Sequence, residues 1–331
     1  MATRRSEQVA QRLDDAERHG MWLLPQDKAE EAALRVRAVE DGLLQPFPGC
    51  FARARSSTAM SIRQRAYATI RTLAVRYPSW VFCLQSAALV HGLWVSNALA
   101  SPIHIVRPAV YGRVGTGIAR HRCRLDADEL SRCQGICVTS LERTLMDCLC
   151  ASDFQHALPI VDAALHWGLA DADGLQRYFD ERGRGRRGIR RARETLAHAD
   201  GRSGSGGESV ARAVMIELGF QVPELQVELF DPMEPNNPKY GDFGWLLSGS
   251  RPIIGELDGM EKYKRSRGGG AASLDGAVRA MSRERRREAH LNLTNVKIVR
   301  FSLSDVHDTA YFERLLTEAG VPRMRAARVA G

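Results

Sequence analysis

The sequence predicts a mixed α/β (α+β) chain in three parts: a small helical unit ending in a β-hairpin, an α/β middle domain, and a C-terminal αβββαβα domain. Three observations predict it. Helical and strand periodicities alternate along the chain, as packed layers of helix on sheet require. A glycine- and serine-rich stretch, "GRSGSGGES" at 201–209, separates two such regions. A chain of 331 residues with 44% hydrophobic and 26% charged residues has the composition of a soluble globular protein and the length of two or three domains.

From Glu7 to Leu44 the pattern is helical and strongly charged. "EDGLLQPFPGCFARA" then stops a helix at Gly42, turns at Pro48-Gly49 and frames two short strands, which predicts a small winged-helix unit over 1–60. Over 61–173, "FCLQSAALVHGLWV" is helical, "PIHIVRP" and "GICVTS" are strands, and "LERTLMDCLC" and "FQHALPIVDAALHWG" are amphipathic helices. The span 174–206 contains "ERGRGRRGIRRARETLAHAD" followed by glycine and serine, which predicts a basic segment and a linker. Next, "ESVARAVMIELGF" sets Val210, Val214 and Leu218 four apart on one helix face. The strands "ELQVELFD", "YGDFGWLL" and "PIIGELDG", the helix "MSRERRREAHLNL", the strand "VKIVRFSL" and a helix at "AYFERLLTEAG" complete a domain over 207–322, ahead of a basic tail at 323–331.

The formal net charge of +8 favours a polyanionic partner. All seven cysteines lie in the first 150 residues with no CxxC spacing, a pattern expected of free thiols in a reducing cytosol. No apolar run reaches membrane-spanning length and the N-terminus lacks the apolar core of a signal peptide, so a cytoplasmic protein is expected. No GxSxG, P-loop or strand-preceded GxGxxG appears, which argues against serine hydrolases and nucleotide cofactors. "RSRGGGAAS" lacks the P-loop ending and is expected as a mobile loop. His91, on an apolar helix, is expected to be a satisfied core histidine.

"PIIGELDGMEKYKR" holds the chemistry of greatest interest, because its apolar run ends in Glu256 and Asp258, which share one strand face. Either the strand leaves the core at Gly255 and both acids meet water, or they join a cluster. A hairpin through "SGS" sets Leu247 against Arg251 and Asp242 against Glu256. A loop of three or five residues puts Asp242 on the face of Glu256 and Asp258, whereas an even loop puts it on the other. Glu208, at the start of the preceding helix, offers a further oxygen. Clustered carboxylates call for a hard cation, Mg2+ or Mn2+, able to activate water and stabilise charge on a phosphodiester.

The ordered series "GES", "YGDF", "GELDG", "EKY", "RERRREAHL" and "VKIVRFSLSDV", over about residues 205–320, resembles the very-short-patch-repair endonuclease-like branch of the PD-(D/E)XK nuclease superfamily. The resemblance implies a restriction-endonuclease-like fold, metal ligands at Asp242, Glu256 and Asp258, and a helix acid at Glu208. Asp258 stands where the superfamily motif has lysine, so Lys262 or Lys264 is expected to supply that cation. Candidate nucleic-acid contacts are Arg279, Arg283 and Arg286, which share a helix face with His290, together with Arg287 beside them, Lys264, and Arg186, Arg187, Arg190 and Arg191 in the run 182–193, which holds seven arginines and no acid.

The first 170 residues or so resemble the AbiEi antitoxin family of type IV toxin–antitoxin systems, through "EDGLLQPFPGCFARA", "SAALVHGL", "IHIVRP" and "GICVTSLERTLMD". That resemblance implies a winged-helix DNA-binding unit joined to an α/β domain, repression of the protein's own operon, and a toxin partner. One departure is plain: "QDKAEEAALRVRAVED", the helix that would read DNA, has five acids against three bases, a poor surface for a polyphosphate. The winged unit is therefore expected to be vestigial or to bind protein. Two functions follow as expectations: a metal-dependent nuclease, or a non-catalytic DNA-binding regulator or antitoxin on a degenerate nuclease fold.

Overall fold

In the computed structural model, which describes residues 2–40, 42–107, 117–246, 251–258 and 296–324, the chain begins with helices α1 (Ala2–Arg18) and α2 (Lys28–Glu40). An antiparallel hairpin follows, β1 (Leu43–Phe47) with β2 (Cys50–Arg53), turning through Gly49 at a φ of 73°. Val9 and Leu13, four apart on α1, close over Leu34, Leu43 and Phe51, and Leu23 adds an isolated bridge to Phe51. The acidic balance of α2 is partly internal. Glu30 is buried and pairs with Arg12, while Glu31 pairs with Arg35 one turn on.

Helices α3 (Ala54–Ala59) and α4 (Ile62–Arg76) lead into the middle module. Ser61 and Gln64 form a reciprocal capping box that starts α4. Its strands are β3 (Val81–Phe82), β4 (Ile103–Val106), β5 (Ile118–His121), β6 (Leu130–Cys133) and β7 (Ile136–Thr139), in the order β5-β4-β3-β7-β6. Between β3 and β4 runs α5 (Leu84–Val90). Ala66, Ile70 and Leu73 of α4 meet Phe82, Ile105 and Val138 from the three central strands. Helices α6 (Leu141–Ala151), α7 (Phe154–His166), α8 (Ala172–Arg182) and α9 (Ile189–Ala197) follow.

The basic segment and the linker expected at 174–206 differ from expectation. The arginine run belongs to α8, α9 and their connection, and α9 starts at Gly188, whose φ of 85° and 2.4 Å Cβ approach to the Cys150 carbonyl exclude any side chain. In the Gly/Ser stretch, Ser203 and Ser209 are buried and bond each other (2.9 Å), and the Ser205 hydroxyl caps the next helix. Glycine and serine serve here as caps and close-packed turns within the second unit. The chain divides into two units, Met1–Ala164 with Leu169–His198, and Leu165–Gly168 with Ala199–Gly331.

The second unit runs α10 (Gly206–Glu217), β8 (Glu224–Leu229), β9 (Lys239–Trp245), β10 (Ile253–Leu257), β11 (Lys297–Phe301), α11 (Leu303–His307) and α12 (Thr309–Ala319). Its sheet order is β11-β10-β9-β8, with β10 and β11 parallel and the other neighbours antiparallel. Val214 of α10 is buried in one core with Phe243, Trp245, Phe301 and Phe312, and Val210 and Leu218 pack against it. The helix expected at "MSRERRREAHLNL" lies outside the described residues.

Candidate functional site

The strands of the second unit set out the candidate site. Ile253 pairs with Trp245, Ile254 with Gly244 and Gly255 with Phe243, so one further step of this register sets Glu256 opposite Asp242. This is the pairing of an odd loop. Strict alternation nevertheless stops at Asp242. Between β8 and β9 the pairing passes from Leu225↔Phe243 to Val227↔Gly241, with Gln226 at a φ of 52°. Leu225 and Phe243 lie in the main core, whereas Val227 packs on Leu229 and Ile254 across the sheet, and a Cβ at Gly241 would meet that same Ile254. Both strands thus switch faces around Gln226 and Asp242 although the pairing on either side keeps one register, with no extra residue in either strand.

Freed from regular alternation, the Asp242 carboxylate accepts the backbone N–H of Leu257 (2.8 Å), which places it against the main chain beside Glu256. Glu208 lies within electrostatic reach. Its carboxyl accepts the Gly204 N–H (2.7 Å), the Ser205 hydroxyl (2.9 Å) and the Gln226 amide (3.2 Å). Burial first, and the negative charge of Asp242 among the other causes, hold it above the usual carboxylate range.

Glu256 is only 6% exposed and faces Arg300, its parallel-register partner on β11, at 3.2 Å. Two residues earlier the same pair of strands carries Ile254 opposite Ile298, so their shared face turns from apolar to charged at its carboxyl end. Arg300 is not among the residues expected from the sequence, although an arginine inside the buried strand "VKIVRF" is a signal for it. Asp258 is exposed just past β10, with its N–H donated to the Phe301 carbonyl (2.9 Å). Lys262, Lys264, Arg279, Arg283, Arg286, Arg287 and the glycine-rich loop fall outside the described residues.

Among the described residues no three His, Cys, Asp or Glu side chains form a group able to hold a metal ion. Asp242 and Glu256 are hard oxygen donors on adjacent strands, the first accepting the Leu257 N–H and the second paired with Arg300. That chemistry and number fit Mg2+, which takes one or two carboxylates and keeps several waters.

In the first unit, the basic run is largely neutralised from within. Arg182 pairs with Asp126 and Asp128, Arg186 with Asp147, and Arg193 with Asp180. Arg191 donates to the Cys150 carbonyl and Arg190 pairs with Glu194, yet both remain exposed beside Arg184 and Arg187. Arg143, buried in α6, holds Glu129 and Asp147 at 2.8 Å each. His91 meets the Thr139 carbonyl (3.0 Å) and burial lowers its pKa, as a satisfied core histidine requires. All seven cysteines are free, and burial pushes Cys50 up to about 11, so its thiol is inert at neutral pH.

A histidine pair has no signature in the local sequence because it forms across two parallel strands. His104 Nδ1 and His121 Nε2 share a 2.8 Å hydrogen bond, with the rings stacked. Burial, then the neighbouring His121, lowers the pKa of His104 to about 4. The unfolded chain, near 6.5, binds the extra proton first. The contribution is therefore complete above pH 6.5 and is lost as pH falls toward 4. Discounted for partial exposure, it is roughly 2 kcal/mol. His104→Gln should flatten the pH dependence of urea unfolding across that window, and an unchanged slope would rule the pair out as its cause.

Set beside known proteins, residues 80–198, which span β3 to the end of α9, match the family described as AbiEi antitoxin C-terminal domain. Two proteins of Mycobacterium tuberculosis, from strains CDC 1551 and H37Rv and both described only as uncharacterized, are each 38% identical over 146 residues. The matched segment covers 44% of this chain and 52% of each of theirs, so the chain spans about half the length of the curated relatives it matches. No solved structure matches it significantly. No helix among the described residues is long and apolar enough to cross a membrane.

Proposed function

We propose that this chain is a nucleic-acid-binding regulator of the antitoxin class, acting on DNA and countering a toxin partner. The observation that carries this reading is the coincidence of the antitoxin-domain match at 80–198 with a folded α/β module. The net charge of +8 and the exposed Arg184, Arg187, Arg190 and Arg191 support it, since such a face holds phosphates without reading sequence. In the second unit, Glu256 is engaged by Arg300 and Asp242 by a backbone N–H, which suits a nuclease-like fold kept as a platform.

A second reading, phosphodiester hydrolysis with Mg2+ or Mn2+, is supported by the β9–β10 register, which runs toward Asp242 and Glu256 on adjacent strands. Asp242 and Glu256 would hold the ion, Asp258 would complete or orient the site, Lys262 would face the scissile phosphate and Glu208 would support the cluster. The ion, when bound, supplies Lewis acidity and an activated water.

One titration separates the two readings: labelled duplex DNA, single-stranded DNA and RNA, at increasing salt, with and without Mg2+ or Mn2+. The first reading expects retention without cutting. It also expects the salt dependence of binding to become shallower when the four exposed arginines become alanine, by about 0.9 in log–log slope for every phosphate they neutralise. No binding even at low salt sinks it. Cleavage that disappears in both Asp242→Ala and Glu256→Ala establishes the second.

A further inference from the structure

We propose that the groove between α1, the segment that follows it and α4 is a binding site for a small aromatic carboxylate, its ring held by apolar walls and its anion by Arg71. The site lies wholly in the first unit and is independent of both functional readings above.

Gly20, at a φ of 61°, ends α1 with the Met21 N–H returned to the Ala16 carbonyl (2.8 Å), a left-handed stop that redirects the chain toward α4. Trp22 fixes that path, donating its backbone N–H to the Thr72 hydroxyl (2.9 Å) and its indole N–H to the Thr69 hydroxyl (2.8 Å). Between these elements lies a groove of about 260 Å3. Ala16 of α1, Met21, Leu23 and Leu24 of the connection, and Val75 of α4 give it carbon walls. With its N–H already used, the Trp22 indole adds only apolar surface. Val75 is 61% exposed, so the groove opens to solvent along α4. Its volume lies just below the range of drug-sized pockets, which suits a ligand the size of one aromatic ring system.

The polar rim decides the charge of that ligand. Glu30 pairs with Arg12, whose other terminal nitrogen donates to the Leu24 carbonyl (2.6 Å), and Asp15 pairs with Arg18. His19 Nδ1 donates to the Asp15 carbonyl (2.7 Å). Each acid at the rim thus has its own arginine. Arg71 is a further cation: its Nη1 lies 3.5 Å from where a Gly20 β-carbon would stand, at the turn between the lining residues His19 and Met21. Its guanidinium also sits 5.9 Å from the centre of the Tyr67 ring, and among the described residues no carboxylate pairs with it. A guanidinium is a planar fork that takes a carboxylate through two N–H groups. Carbon walls alone would favour a neutral ligand, and the charge alone an inorganic anion. Together they select an acid with an aromatic body.

The test titrates the full chain with indole-3-acetate, benzoate, neutral indole and acetate, read by calorimetry and by the thermal shift that ligand binding produces. The two aromatic acids should bind and raise the unfolding temperature, while indole and acetate should each bind about tenfold more weakly than indole-3-acetate, or worse. Arg71→Gln should weaken the aromatic acids about tenfold and leave indole unchanged, as the loss of a charge-assisted contact requires. Val75→Asp, at an exposed helix position where the fold tolerates substitution, should weaken all three aromatic probes. Indole-3-acetate binding that survives both substitutions would lie elsewhere and overturn the site. Indole that binds as tightly as indole-3-acetate overturns the carboxylate class. No binding of any probe at millimolar concentration overturns the proposal outright.

Discussion

Arg143→Met should lower the stability of the first unit by roughly 3–5 kcal/mol, the range for removing one partner of a buried ion pair. Arg143 is 3% exposed and reaches Glu129, itself 4% exposed, through Nη1 and Asp147 through Nε. Without it, Arg186 still holds Asp147 at 2.8 Å but lies 3.8 Å from Glu129, so Glu129 is left with too little positive charge. Burial raises the pKa of Glu129, yet the Asp126 N–H and Arg143 outweigh it and hold the group below its ordinary value. Its contribution is therefore present above the unfolded pKa and is lost as pH falls through the folded one. Denaturant unfolding at neutral pH should show the full loss, and the native–variant difference should narrow in acid. Arg190→Ala is the control: its pair with Glu194 is exposed, and its loss should stay within about 0.5 kcal/mol. A loss that small for Arg143→Met would mean that packing, not charge, holds α6 in place.

Parts of this architecture were legible in the sequence because they rest on local rules. Gly42 and the Pro48-Gly49 pair mark the end of α2 and the turn of the hairpin, and both fall where backbone geometry demands them. The sequence left odd and even loops between β9 and β10 both open, and the register of Ile253 on Trp245 through Gly255 on Phe243 is the one an odd loop gives. What stayed hidden depends on contacts made across the fold. Alternation could not reveal that Gln226, a residue with a β-carbon, adopts a positive φ and switches the face of its strand. The Arg300–Glu256 pair and the His104–His121 pair each need a parallel register between strands that are not joined by a hairpin. "GRSGSGGES" has the composition of a tether, and composition carries no sign that Ser203 and Ser209 would be buried against each other.

Phe301→Ala should cost the second unit about 3–5 kcal/mol, the usual range for deleting a buried aromatic ring. The ring is 1% exposed and lies between two others, stacked on Phe243 at 5.9 Å and edge-on to Phe312 at 4.9 Å. Its loss opens a cavity where β11 meets α12, while the Phe301 carbonyl still accepts the Asp258 N–H. The strand register, and with it the alignment of Glu256 with Arg300, should survive in molecules that remain folded. The two units should respond separately, the Phe301→Ala loss falling on the second and the Arg143→Met loss on the first. Gly255 supplies an internal check. A Cβ there would stand 3.3 Å from both the Phe301 ring and the Phe243 Cβ, so the strand keeps glycine at this point to admit the ring. Gly255→Ala should therefore destabilise the native protein, yet cost about 1 kcal/mol less in the Phe301→Ala background, where the added methyl enters vacated space. Strict additivity in this double-mutant cycle would mean that the ring does not press on β10, and that the Glu256 strand is positioned by its backbone bonds alone.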